Sequence, residues 1–95
     1  MSMKKAYEQK LQAQLDEWSA EIDKLKAKAN SAEADTQLKY YKKIEELQSM
    51  QEAATNKLTE LKDAGDDSWE DLKAGTDSAW GSMAKAMTSA TSRFK

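Results

Sequence analysis

The sequence contains no proline, no cysteine, no histidine and no valine, and only three glycines among its 95 residues. A chain that lacks proline and is rich in Ala, Glu, Lys, Leu and Gln favours helices over strands. The absence of cysteine excludes disulfides and thiol chemistry, but it does not fix the compartment. Without histidine, cysteine or a glycine-rich phosphate loop the chain has no recognisable catalytic constellation, so we expect it not to be an enzyme.

Large apolar side chains are also scarce, because much of the hydrophobic 39% is alanine, and 34% of the residues are charged. Small domains are already marginal in stability. Such a composition therefore favours elongated helices that bury a stripe against a partner over a globule with a bulky core. The low hydropathy also favours disorder, but the regular apolar periods of the chain argue against it.

The charges limit the kinds of partner that we expect. The 15 basic and 17 acidic residues are interleaved and give a net charge of −2, so no basic patch indicates nucleic-acid binding. No stretch approaches the ~20 apolar residues of a transmembrane helix. The N-terminal segment contains lysines but no apolar run of the kind found in signal peptides. We therefore expect a cytoplasmic protein.

Residues 11–32 follow a heptad pattern, with apolar positions separated alternately by four and three residues. This spacing is typical of the narrow seam of a coiled coil, in which polar residues occupy the other faces. The apolar positions are Leu11, Leu15, Trp18, Ile22, Leu25, Ala29 and Ala32.

A second heptad follows, one residue out of register with the first, and the shift falls within residues 29–37. Two interpretations fit it. A continuous helix could absorb the extra residue by a local change of supercoil. Alternatively, the chain could turn there into a helical hairpin, with Asn30 and Glu33 as a capping pair. The second heptad comprises Tyr40, Ile44, Leu47, Gln51, Ala54, Leu58 and Leu61.

The continuous helix is the interpretation that we favour, because residues 29–37 contain neither glycine nor proline. The predicted fold is then all-α. It has a long heptad helix within residues 1–64, on the order of 90 Å in length, in a self-associating helical bundle. The alternative is a three-helix up-down bundle with a turn near residues 29–37.

A helix break is predicted at residues 65–67. Gly65 can adopt the left-handed conformation that closes a helix. Asp67 can then cap a new helix, and Glu70 three residues later completes a capping box. We expect this second, amphipathic helix within residues 68–95, from about Ser68 to Arg93.

The apolar period changes in this C-terminal helix. Trp69 and Trp80 stand eleven residues apart, as do Leu72 and Met83. An eleven-residue repeat corresponds to about 3.67 residues per turn and keeps an apolar stripe on one side of a nearly straight helix. The predicted stripe comprises Trp69, Leu72, Trp80, Met83, Met87 and Phe94.

Four acidic residues cluster around the break, at Asp66, Asp67, Glu70 and Asp71. They could bind a hard cation weakly, but they lack the alternating ligand pattern of a calcium loop. Negative charge at a helix N-terminus explains them better. We therefore predict no catalytic residue, no metal site and no cofactor.

The heptad positions are most simply the seam of a homo-oligomer. Trp18 and Gln51 are unusual there, since one is bulky and the other polar, and a buried Gln can help to set register. The pattern leaves a parallel dimer, an antiparallel pair, a trimer and a four-helix assembly open. The predicted oligomer seam comprises Leu11, Leu15, Trp18, Ile22, Leu25, Tyr40, Ile44, Leu47, Leu58 and Leu61.

Residues 78–95 contain no acidic residue and combine the stripe with a Ser/Thr-rich face. The simplest interpretation is that the stripe docks on the long helix or between subunits. An amphipathic helix of this composition also resembles sensors of membrane surfaces, and methionine makes adaptable surfaces for protein partners. A membrane surface or a partner protein that binds through residues 69–94 therefore remains an alternative.

Several blocks of the sequence resemble a family of small bacterial coiled-coil-domain proteins, found mainly in cyanobacteria and proteobacteria. They are "YEQKLQAQLDEWSAEIDKLKAKA", "YYKKIEELQ", "DDSWEDLKAGTDSAW" and "SRFK". The resemblance covers most of the chain and is weakest at "GSMAKAMTSAT", where relatives are more charged. It implies no enzymatic activity and a link to stress responses. The eleven-residue period also resembles that of exchangeable apolipoproteins and desiccation-protective proteins, in pattern alone.

Two functions are therefore expected from the sequence. The first is a non-enzymatic, self-associating coiled-coil protein with a structural or interaction role, linked to stress by the resemblance. The alternative is a peripheral lipid-surface protein of apolipoprotein or stress-protective type.

Overall fold

The computed structural model describes residues 3–65 and 67–94, and it is an antiparallel bundle of three helices. These are α1 (Met3–Asn30), α2 (Ala34–Asp63) and α3 (Trp69–Arg93). No strand is present in the described part of the chain. The prediction of an all-α helical bundle is confirmed.

The prediction of one continuous heptad helix is wrong, because α1 ends at Asn30 and α2 begins at Ala34. The alternative with a turn near residues 29–37 is the observed one. The amides of Ser31 and Ala32 bond back to carbonyls three residues earlier, at 3.2 and 3.1 Å. Glu33 is then extended, with φ −65° and ψ 158°, and its side chain makes no capping hydrogen bond.

A side chain from α2 stabilises this turn in place of glycine or proline. Gln37 Nε2 donates a hydrogen bond of 2.9 Å to the carbonyl of Ala29, one of the carbonyls at the end of α1 that lack an intrahelical partner. The one-residue shift between the heptads therefore marks two different helices that face each other across a hairpin.

The second break lies where the sequence predicts it, but its geometry differs. Gly65 does not adopt a positive φ, so the predicted left-handed closure is wrong. Ala64 ends α2 in an extended conformation, and its amide bonds to the carbonyls of Glu60 and Leu61. Ser68, and not Asp67, holds the N-cap position of α3, again without a side-chain capping bond. Asp66 lies outside the described residues.

Helix α2 lies in the middle of the bundle. Both α1 and α3 pack along it, whereas they make few contacts with each other. The molecule measures 51 × 20 × 19 Å, about half the length expected for a continuous helix. Because α1 and α3 run in the same direction, their N-terminal ends lie together at one end of the molecule.

Two apolar clusters form the core. The larger joins all three helices near the α1–α2 turn, and the smaller lies nearer the opposite end. Half-buried Trp18 packs against both clusters, with its ring centroid 6.1 Å from that of Trp80. The larger cluster contains Ile22, Leu25, Ala29, Tyr40, Ile44, Leu47, Met83, Met87, Ala90 and Phe94, and the smaller contains Leu11, Leu15, Ala54, Leu58 and Trp80.

Candidate functional site

The residues of the predicted oligomer seam are covered by the chain's own helices. Nine of the ten are buried, and Trp18 is half-buried. Leu47 and Leu61 are each 0% exposed. The heptad pattern therefore identifies buried positions, but in this fold they pack inside one chain. Whether the chain forms an oligomer remains a prediction, and it needs another surface.

The C-terminal stripe is covered in the same way. Trp69, Trp80, Met83, Met87 and Phe94 are buried, and Leu72 is half-buried. In the folded bundle the stripe is therefore core, and it would meet a lipid surface or a partner only if α3 detached.

Two small residues of α3 complete this buried side, and the predicted stripe omits them. Thr76 is 1% exposed and Ala90 is 0% exposed. The Thr76 hydroxyl is satisfied locally, because it donates a hydrogen bond of 2.9 Å to the carbonyl of Leu72. The spacing of seven between Met83 and Ala90 is the sequence pattern that could have identified Ala90.

A groove runs along the bundle where α1 and α3 face each other, and it is the candidate interaction surface. It consists of two recesses with volumes of about 570 and 240 Å³. Trp18 lines both recesses and so lies at the centre of the groove. The first is lined by Glu17, Trp18, Ala20, Glu21, Met87, Thr88 and Thr91, and the second by Tyr7, Lys10, Leu11, Gln14, Trp18, Asp77, Trp80, Gly81 and Ala84.

The wall that α3 contributes to this groove is built from small residues. Gly81, Ala84 and Thr88 recur at three- and four-residue spacing, so they share one face of the helix. A Cβ placed on Gly81 would meet no atom within 4 Å, so packing within the chain does not require glycine there. This wall would allow another backbone to approach closely.

Trp80 forms part of the floor and carries an unusual polar atom. Its side chain is 5% exposed, and its buried indole Nε1 has no hydrogen-bond partner among the described residues. An unpaired buried donor costs about 1–3 kcal/mol. Trp80 is therefore a costly residue at this position, in spite of its aromatic contact with Trp18.

One end of the groove is closed by a contact between α1 and α3. The Tyr7 hydroxyl donates a hydrogen bond to the Asp77 carboxylate. The Tyr7 ring lies 5.9 Å from that of Trp69, with Lys73 Nζ 5.5 Å from its centroid. Burial raises the pKa of Tyr7 above its ordinary value, and Asp77 raises it further. This contact is not among those predicted from the sequence, although Tyr7 lies one turn before Leu11.

Gln51, the polar residue of the second heptad, connects α2 to α1. Its Nε2 donates to the Ser19 hydroxyl at 2.5 Å and to the Leu15 carbonyl at 3.4 Å. A polar side chain held in this way favours one register between the two helices. Gln51 therefore favours one register between α1 and α2 of the same chain.

The described residues offer no group of three or more acidic side chains placed to hold a metal ion. Asp67, Glu70 and Asp71 are all exposed at the start of α3. No described helix combines the length and the apolar character needed to cross a bilayer.

Comparisons with known proteins place the chain in no group: no family model matches it, and no curated protein or solved structure is significantly similar.

Proposed function

We propose that the protein is a non-enzymatic structural or interaction protein that self-associates through the groove between α1 and α3. The observation that carries this proposal is the open side of the bundle. Helices α1 and α3 make few contacts with each other, and half-buried Trp18 lies between them at the centre of the groove. A bundle of three helices with one open groove resembles a four-helix bundle in which one helix is absent.

A second copy of the chain suits this groove in an antiparallel orientation. Lys10 and Glu17 lie two turns apart on the α1 edge of the groove. In a twofold antiparallel pair, Lys10 of each copy would lie opposite Glu17 of the other, whereas a parallel pair would oppose like charges. The small residues of α3 would then allow the second copy to approach closely.

The open side of the bundle is also large enough for one protein–protein interface. The bundle is 51 Å long and about 20 Å wide, and a standard interface takes about 800 Å² from each partner. A face of this size could therefore supply one interface.

The resemblance of the sequence to small bacterial coiled-coil-domain proteins supports the same class of function, since that family has no established enzymatic activity. On this proposal a stress-related role would operate through assembly. A lipid-binding role for residues 69–94 is less favoured, because it would require α3 to leave the core that its stripe fills.

Sedimentation equilibrium over a dilution series tests self-association. We expect the wild type to form a dimer of about twice 10.7 kDa at micromolar concentration. Ala84→Arg places a long cation in the groove and should weaken dimerisation at least about tenfold, the effect of about 1.4 kcal/mol. Ser89→Arg, on an exposed position of the same helix outside the groove, is the matched control and should dimerise like the wild type.

A charge swap tests the orientation. Lys10→Glu should weaken the dimer, and the double variant Lys10→Glu/Glu17→Lys should restore it, because each copy again offers opposite charges. A monomer at all concentrations refutes the proposal. Equal weakening by Arg at positions 84 and 89 would show that the groove is not the interface.

A further inference from the structure

The end of the bundle opposite the Tyr7–Asp77 contact carries a cluster of cations. A recess of about 260 Å³ is lined there by Lys39, Lys42, Lys43, Glu46, Arg93 and Phe94. Its single carboxylate, Glu46, forms an ion pair with Lys43, with Nζ 3.7 Å from Oε2. Lys39, Lys42 and Arg93 thus contribute positive charge to the recess without a carboxylate of their own in its lining.

An ordered aromatic contact forms the base of this recess. The Phe94 ring stacks on Tyr40, with centroids 4.3 Å apart. Lys28 Nζ donates a hydrogen bond of 3.2 Å to the Phe94 carbonyl. The end of α3 is therefore held against both α1 and α2, and the position of Arg93 relative to the lysines of α2 is a feature of the fold.

Helix electrostatics explain only part of the cluster. Cations in the last turn of a helix interact favourably with its dipole, which accounts for Lys28 and Arg93. The same effect gives no reason for Lys39, Lys42 and Lys43, which follow the N-terminal turn of α2. Like charges at three- and four-residue spacing repel each other. The ion pair with Glu46 offsets this repulsion at Lys43, whereas the dipole of α2 does not favour Lys39 and Lys42.

An exposed apolar side chain lies beside these lysines. Leu38 is 69% exposed, whereas Tyr41, which is 40% exposed, is held on the α1 side of the bundle, where its hydroxyl donates a hydrogen bond of 3.1 Å to Asn30 Oδ1. Among the described residues, the only other large hydrophobic side chain of this kind is Met3, at the far end of the molecule. Leu38 lies one turn before Lys42, so apolar and cationic side chains adjoin at the same end of α2.

We propose that this end of the bundle binds the surface of a bilayer that contains anionic phospholipids. Lipid phosphates lie against Lys39, Lys42 and Arg93, and Leu38 enters the boundary between headgroups and acyl chains. Cationic side chains near an anionic leaflet and apolar side chains buried at its headgroup boundary are the physical basis of such binding. A free anion would use the cations but would leave the exposure of Leu38 unexplained. The bundle stays closed, and the α1–α3 groove takes no part.

Co-sedimentation with vesicles tests this proposal. We expect the wild type to bind vesicles containing phosphatidylglycerol and not vesicles of phosphatidylcholine alone. Lys39→Glu/Lys42→Glu should reduce the partition coefficient at least about tenfold, since each lysine near an anionic surface contributes about 1 kcal/mol. Leu38→Ser should reduce it severalfold.

The matched control is Lys57→Glu/Lys62→Glu, which makes the same charge change at exposed positions near the other end of α2. It should bind like the wild type, and circular dichroism should show unchanged helicity in all variants. The proposal is overturned if the wild type ignores anionic vesicles or if both double variants lose binding equally. It is also overturned if inorganic phosphate at equal ionic strength releases the protein where chloride does not, because that result identifies a free-anion site. Vesicle binding does not depend on dimerisation through the α1–α3 groove. Lys39→Glu/Lys42→Glu should therefore leave the dimer intact.

Discussion

Tyr7 is a residue whose pKa depends on its surroundings in the fold. Its hydroxyl donates to Asp77 across the groove, and burial and the carboxylate both favour the protonated phenol. In the unfolded chain the same phenol has its ordinary pKa of about 10. The folded state therefore retains this proton at a pH at which the unfolded state loses it.

Above pH 10 this difference destabilises the fold. The folded protein binds more protons than the unfolded chain in that range, so the free energy of unfolding falls as pH rises. The stabilisation from Tyr7 is complete below pH 10 and is lost as pH rises towards the higher folded pKa. We expect the wild type to lose more stability between pH 9 and 11 than Tyr7→Phe, in urea titrations followed by circular dichroism. Parallel curves for the two proteins would show that the Tyr7 hydroxyl is neither buried nor bonded to Asp77 in solution.

At the scale of the element, α3 combines a tightly packed side with an open one. Gly75 and Gly81 both lie inside this helix, and an added Cβ would meet no atom within 4 Å at either position. The two glycines differ in position, because Gly81 lines the groove and Gly75 does not. Comparing substitutions at the two positions therefore separates the effect of glycine on helix stability from its effect on the groove.

Alanine at either glycine should stabilise the monomer. Glycine in a helix interior costs about 0.5–1 kcal/mol relative to alanine, and neither substitution creates a clash. We expect Gly75→Ala and Gly81→Ala to raise the free energy of unfolding by similar amounts, measured by urea denaturation at a concentration below that of dimerisation. Destabilisation by Gly81→Ala alone under those conditions would mean that α1 lies closer to Gly81 than the structure has it.

Element boundaries show what the sequence could and could not predict. The end of α2 and the start of α3 were predictable to within a residue or so, because acidic residues, glycine and a change of apolar period coincide there. The turn at residues 31–33 was not, since it contains no glycine or proline. It is formed by backbone bonds from Ser31 and Ala32 and by the side-chain bond from Gln37 to the Ala29 carbonyl, and no residue type in the sequence marks these bonds in advance.

At the scale of the whole molecule, the spacing of apolar residues predicted which residues are buried. It did not predict whether they pack against helices of the same chain or against those of a second copy. Ile22 and Leu47 are buried whether α1 packs on its own α2 or on that of a second copy. The groove could not be predicted either, because it depends on how far α3 lies from α1 along their shared partner α2.

Whether the heptads pack within one chain or between two chains can be tested at the turn between α1 and α2. If the turn at residues 31–33 opened, α1 and α2 would become one helix of about 90 Å, and two chains could exchange helices through the same heptads. Glu33 already has φ −65°, which is the value that proline imposes. In the described turn its amide donates no backbone hydrogen bond.

Glu33→Pro should therefore fit the turn and exclude the continuous helix, in which an internal proline costs about 3 kcal/mol. We expect the variant to keep the stability of the wild type to within about 1 kcal/mol, with a monomer length near 51 Å by small-angle X-ray scattering. The groove-mediated dimer should also persist, since residue 33 is distant from Trp18 and Gly81. A variant that loses dimerisation but remains a folded monomer would show that the wild-type dimer forms by exchange of helices, and not through the groove.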